Sequence, residues 1–164
     1  MIRFVRFDTP LGPMIATAAS GALTAVDFAD AKYAPVPEAG WTEDPEHAPL
    51  AACALQLGAY FSAQRPTFDL PTAPSGTEFQ RRVWRAIAGV PYGETLPYAR
   101  LAERAGAPGA ARAAGAATGR NPLAVIVPCH RIVGANGRLT GYAGGLERKA
   151  RLLELEASRR PGAT

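Results

Sequence analysis

Residues 97–118 run PYARLAERAGAPGAARAAGAAT. Pro97 suits a helix start, the residues from Tyr98 to Ala105 favour helical backbone, and Gly106 stops it. After Ala107, Pro108 opens a second helix, expected from Gly109 to about Thr118, made almost wholly of Ala and Gly with a single arginine, Arg112. Two helices joined by a tight turn are a helix-turn-helix signal. Small side chains let the second helix bring its backbone close to a groove, and Arg112 is the one long side chain there, able to enter a base stack left by a displaced nucleotide. The same composition fits close helix packing with Arg112 merely solvated.

Upstream, Thr77 is placed to cap a helix carrying Phe79, Val83, Trp84 and Ile87, ended by Gly89 and Pro91. Before residue 75 the pattern changes to strands. Arg3 to Asp8 alternates, Thr9-Pro10-Leu11-Gly12-Pro13 is dense in turn formers, and Met14–Ala19 and Ala22–Phe28 flank Ser20-Gly21, which together predict an antiparallel meander. Residues 30–49 hold four prolines with Glu43, Asp44 and Glu46, and read as a surface loop. From Pro49 to Ala63, apolar residues at three- and four-residue steps predict an amphipathic helix with Cys53 on its buried face. A short strand is expected at Phe68–Leu70.

Downstream, Leu123-Ala124-Val125-Ile126-Val127 reads as a buried strand ending at Pro128-Cys129-His130. Residues 134–145 contain five glycines, and a last helix runs from Leu146 to about Ser158. The fold class is therefore mixed α/β of the α+β kind. A strand-rich lobe, 1–74, precedes a mostly helical lobe, 75–164, that contains the helix-turn-helix.

A chain of 164 residues suits one domain or two small lobes. With 48% apolar and 20% charged residues it is globular in composition, and no apolar run approaches the roughly 18 residues of a membrane span. The N-terminus lacks the apolar core of a signal peptide, which points to the cytoplasm. Two cysteines exclude a disulfide framework and a zinc site made of thiols. Residues 1–74 hold four bases against eight acids, a net charge of −4, whereas residues 75–164 hold fourteen bases against six acids, a net charge of +8. A basic half beside an acidic one makes nucleic acid the leading class of partner.

Chemistry concentrates at Cys129-His130. A thiolate is a strong nucleophile, and an imidazole nearby eases its formation at neutral pH. Taken alone, the dipeptide is weak evidence, since a buried thiol beside a satisfied histidine is the ordinary outcome. On extended backbone the two side chains would face opposite ways, so a relay through water is expected. A histidine base also needs an acceptor on its far nitrogen. At about 100° per residue, Leu146, Ala150, Leu152, Leu153 and Ala157 define the buried arc of the last helix. Glu156 falls inside that arc, while Glu147 and Glu154 face away with Arg151. Its partner is either His130 or Lys149, which shares the arc.

The segments VIVPCHRIVGANGRLTGYAGGLERKARLLELE, GTEFQRRVWRAIAGVPYGET, PYARLAERAG, AARAAGAATGRNP and TPLGP resemble those of the O6-alkylguanine-DNA alkyltransferases, also called methylated-DNA-protein-cysteine methyltransferases. The likeness is densest at Pro128-Cys129-His130-Arg131 and looser over the first lobe, which it implies is ribonuclease-H-like. It implies a monomeric DNA repair protein that binds double-stranded DNA through the minor groove, flips an O6-alkylguanine, or an O4-alkylthymine, out of the stack, and transfers the alkyl group irreversibly to its own cysteine. By that resemblance Cys129 is the acceptor, His130 deprotonates it through water, Glu156 orients His130, and Asn121 joins the network. Arg112 replaces the flipped base, and Tyr98 assists flipping and protonates the leaving purine. Ala99, Gly115 and Arg120 contact DNA. Tyr142, Ile132, Ala143 and Gly144 line the base pocket.

The chain departs from the family pattern at Ala143, where a serine often stands, and at Pro97, where a serine is common before Tyr98. No cofactor and no metal are expected, and no membrane partner. Two other readings remain open on the residues: a lesion binder or helix-turn-helix regulator without chemistry, and a cysteine hydrolase built on Cys129, His130 and Glu156.

Overall fold

A computed structural model describes residues 1–158. Its first strands are β1 (Arg3–Phe7), β2 (Met14–Ala19) and β3 (Ala22–Phe28), paired antiparallel in sequence order. Ser20 and Gly21 both take positive φ, 51° and 80°, the backbone a two-residue hairpin requires if its turn is to match the twist of the strands. Thr9 closes the preceding turn, its hydroxyl donating to the Gly12 carbonyl at 2.6 Å and accepting from the Leu11 amide.

The expected loop at 30–49 contains one more strand. β4 (Thr42–Glu43) runs parallel to β1, giving the sheet order β3-β2-β1-β4. The Thr42 amide donates to Ile2 and the Asp44 amide to Phe4. Arg3 meets Asp44 at 2.6 Å and Trp41 packs on Phe4, so the acids that make the segment look solvated anchor one end of it.

Helix α1 (Ala48–Phe61) buries Leu50, Cys53, Leu57 and Tyr60 and packs on the sheet. The strand expected at Phe68–Leu70 does not form. Gln56 occupies both the amide and the carbonyl of Asp69, at 2.9 and 3.0 Å, and removes them from any ladder. The sheet contact comes later, with Thr72 bridged to Leu23.

Two compact units make up the chain. The first comprises Met1–Ser75 together with Pro122–Ala124. The run 123–127 is not a strand: Leu123 bridges Val26, with the Ala124 amide on the Val26 carbonyl at 2.8 Å, and then Val125 takes φ 69° and turns the chain away. Positive φ is strained for a β-branched residue. The apolar run is buried without forming one extended ladder.

The second unit comprises Gly76–Asn121 and the chain from Val125 onward. Helix α2 (Glu78–Ala88) opens with a capping box in which Thr77 and Gln80 satisfy each other's amides. Strand β5 (Leu96–Pro97) leads directly into α3 (Tyr98–Arg104), and α4 (Ala111–Gly119) completes the helix-turn-helix. Helix α4 begins two residues after the expected Gly109, because Gly109 has φ 83° and belongs to the turn. The indole of Trp84 donates to the Ala117 carbonyl at 2.8 Å and ties α2 to α4. Strand β6 (Ile132–Val133), which the sequence did not announce, pairs parallel with β5.

The last helix, α5 (Leu146–Ser158), buries Lys149, Leu152 and Glu156. Leu146 and Ala157, expected on the buried arc, are both exposed. They occupy the first and last turns, where the buried stripe runs out. Among the described residues no helix is long and apolar enough to cross a membrane.

Candidate active site

Pro128 ends the irregular run, and Cys129–Arg131 then form a single 3-10 turn rather than the tip of a strand. The turn is closed by the Arg131 amide on the Pro128 carbonyl at 2.9 Å. Asn121, just past the end of α4, donates from Nδ2 to the Val127 carbonyl at 2.9 Å. The end of α4 is thus fastened to the segment that delivers Cys129.

The two cysteines differ in setting. Cys53 is fully enclosed in α1, and burial pushes its thiol up to about 12, so it holds its proton at neutral pH. Cys129 keeps 7% of its surface exposed.

His130 is wholly buried, with Nε2 2.8 Å from Glu156 Oε2. Glu156 therefore pairs with His130, and the alternative partner, Lys149, instead donates to the carbonyls of Thr140 and Gly141. A residue that sequence reasoning passed over completes the group. Arg131 grips Glu156 through Nε at 2.8 Å and Nη2 at 2.9 Å, and its Nη1 donates to the Val90 carbonyl at 2.7 Å. A carboxylate turned into an apolar face demands a cation, and Arg131, next to His130 in the chain, was the signal available.

These contacts settle the protonation of the pair. Burial alone would raise the Glu156 carboxyl, but the hydrogen bonds and charges of His130 and Arg131 outweigh it and hold the group at about 2. Burial lowers His130, against the pull of Glu156, with Arg131 and Lys149 acting in the same direction as burial. An ionised carboxylate only accepts, so Nε2 of the neutral imidazole carries the hydrogen and Nδ1 carries the lone pair. Nδ1 is buried and meets no hydrogen-bonding partner among the described residues. The arrangement supplies a neutral base of fixed tautomer on the residue that follows Cys129 in the chain.

Family profiles match nearly the whole chain: the DNA-binding domain of 6-O-methylguanine DNA methyltransferase over residues 78–158, and its ribonuclease-like domain over residues 2–74. The chain belongs to the 6-O-methylguanine DNA methyltransferase family. It is 48% identical over 161 residues to a methylated-DNA–protein-cysteine methyltransferase of Mycolicibacterium paratuberculosis, covering 98% of this chain and 96% of the relative. It is 45% identical over 152 residues to one from Methanosarcina acetivorans, covering 93% and 96%. Among solved structures, Mycobacterium tuberculosis OGT in complex with DNA has a TM-score of 0.87 at 45% identity, over 98% of this chain and 96% of that one.

Within this 6-O-methylguanine DNA methyltransferase fold, the remaining sequence-predicted residues fall into two groups. Tyr98 opens α3, half-buried, its phenol raised by burial and hydrogen-bonded to the Thr140 side chain. Tyr98 and Lys149 both lie near enough to Cys129 for a charge on its sulfur to act on them. Tyr142 packs on the cluster that contains Cys129, with Ala143 and Gly144 partly buried beside it in sequence. Ile132 is fully buried, so its side chain serves the core and only its backbone can serve a pocket.

The second group faces solvent. Arg112, Ala99 and Arg120 are exposed, and Gly115 of α4 lies against the Tyr98 ring, where an added Cβ would stand 3.7 Å from two ring carbons. Among the described residues no group of three or more His, Cys, Asp or Glu side chains is gathered to hold a metal ion.

Proposed function

We propose that this protein repairs DNA by taking the alkyl group from O6 of guanine, or O4 of thymine, onto Cys129, once per chain. The observation that carries the proposal is the buried Glu156–His130 pair, which leaves Nδ1 of a neutral imidazole as the basic atom on the residue that follows Cys129 in the chain. His130 accepts the thiol proton through a bridging water, and Glu156, held by Arg131, steadies the imidazolium so formed.

The Sγ thiolate attacks the alkyl carbon in line. The S–C bond forms as the C–O bond breaks, and the electron pair leaves with the purine oxygen. Tyr98 supplies a proton to the departing base and is reprotonated by the proton first taken from the thiol, so the sums are a thioether and an unmodified base. The thioether is not a leaving group under these conditions, and the chain is consumed.

Inside a stacked duplex the alkyl carbon is closed to in-line attack, so the nucleotide must leave the helix. Helix α4, lined with Ala and Gly, enters the minor groove, where Arg112 fills the gap, and Ala99, Gly115 and Arg120 meet the strands. Tyr142, Ala143, Gly144 and the backbone of Ile132 line the pocket. The protein works as a monomer in the cytoplasm, without metal or cofactor. The likeness to the methylated-DNA–protein-cysteine methyltransferase of Mycolicibacterium paratuberculosis supports the same reaction.

The test is incubation with a duplex whose O6-methylguanine carries a radiolabelled methyl group. Label on the Cys129 peptide, rising to one per chain, is expected. Tight binding with no label would overturn the proposal in favour of a lesion binder, and product in excess of one per chain would overturn it in favour of a hydrolase.

A further inference from the structure

The phenol of Tyr98 is hydrogen-bonded by the side chain of Thr140, a residue of the glycine-rich segment to which the proposed chemistry gives no part. Thr140 is exposed, yet its place is determined from several sides. Its carbonyl accepts from Lys149 Nζ at 2.8 Å, and the neighbouring Gly141 carbonyl accepts from the same nitrogen at 3.2 Å. Its Cγ2 methyl sits over Gly134, where an added Cβ would stand 3.3 Å from it, tighter than ordinary contact. The Gly134 amide in turn donates to the Arg138 carbonyl at 2.8 Å and closes the segment.

Lys149 is a fully buried amine on α5, and a buried ammonium is expensive unless its donors are used. Here they go to the two carbonyls that fix Thr140, while Nζ also stands 6.0 Å from the centre of the Tyr98 ring. The phenol is thus held at its oxygen by Thr140 and faced by Lys149, with Gly115 leaving room along the ring edge.

We propose that Thr140 is a positioning residue that aims the Tyr98 hydroxyl at the departing base. This rests on the reading that Tyr98 protonates the purine. Thr140 Oγ1 donates to Tyr98 Oη, so the phenol's own proton points elsewhere, into the pocket. While Tyr98 is without that proton, the same bond stabilises the phenolate until the proton taken from Cys129 replaces it. Thr140 keeps its own proton throughout, and no bond to it is made or broken.

Single-turnover methyl transfer from an O6-methylguanine duplex, measured for the intact protein and for Thr140→Val and Thr140→Ser, tests the assignment. Binding of the same duplex is measured with each Thr140 change placed on Cys129→Ala. Valine keeps the branched shape over Gly134 and the carbonyl for Lys149, and loses only the hydroxyl. Thr140→Val should slow transfer about ten-fold, as expected for one hydrogen bond made to the reacting group, with binding unchanged, and Thr140→Ser should restore the rate. Transfer by Thr140→Val at the parent rate, a slow Thr140→Ser, or a loss of binding that matches the loss of rate would each overturn the assignment. Absence of transfer by the unsubstituted protein would instead overturn the proposed function.

Discussion

Cys129 and Cys53 have the same side chain and different prospects. Cys53 is sealed in the core with its thiol pushed up to about 12, whereas Cys129 retains a sliver of exposure and is followed in the chain by a neutral imidazole. Cys129→Ala should therefore abolish transfer and leave lesion binding intact. Label found on Cys53 in that variant would contradict the division of roles. Glu156 carries a double duty, since it orders His130 and neutralises Arg131. Glu156→Gln removes the charge but keeps the shape, leaving a buried guanidinium without its counter-ion. Transfer should slow by about 10²-fold or more, and stability should fall by about 3 kcal/mol. Single-turnover rates and denaturant titration measure the two effects separately, and an unchanged rate would remove Glu156 from the relay.

At the scale of elements, the join between α2 and α4 depends on close approach. Gly76 precedes the Thr77 cap, and a Cβ there would overlap the Trp84 ring, which is itself fixed by its hydrogen bond to Ala117. The ring cannot swing aside without losing that bond. Gly76→Ala should destabilise the protein by about 1–3 kcal/mol, the usual penalty of overpacking, read as a lowered midpoint in denaturant. Helix α4 inherits the disturbance through Ala117, so duplex binding should weaken as well. The 3-10 turn at Cys129–Arg131 shows the reverse relation, in which an element owes its form to its surroundings. Asn121 and Val125 steer the chain into it, one by a hydrogen bond to Val127 and the other by its positive φ.

For the whole molecule, the buried ionisable pair makes stability depend on pH. Both His130 and Glu156 titrate below their ordinary values in the folded protein, so the unfolded chain binds more protons on acidification. Their contribution is complete above the ordinary histidine value of 6.5, begins to fade below it as the unfolded imidazole takes up its proton, and fades further from 4.5 towards about 2 as Glu156 does so. The melting temperature should fall from pH 7 to pH 5. It should fall less steeply in His130→Gln, and equal slopes in the two proteins would show that His130 does not carry this dependence.

Much of the fold is legible in the sequence. Turn formers marked the ends of β1 to β3, because the chain can reverse only where its residues permit the turn, and three- and four-residue spacing marked α1, α2 and α5, because each of these helices buries one face and its sequence must record which. Glu156 was legible for the same reason, as a carboxylate on an apolar arc. Other features were decided only by packing. The run 123–127 reads as a strand since apolar residues look alike whether they bridge one neighbour, turn, or fill a core. The short β4, β5 and β6 have too few residues to show a period. Arg131 as the second partner of Glu156, and Thr140 with Lys149 behind Tyr98, are joined by one or two hydrogen bonds between particular groups, and such bonds leave no periodic trace in the order of amino acids. Local backbone preference and the burial of one face are written along the sequence, while the meeting of distant polar groups follows from where the folded elements come to rest.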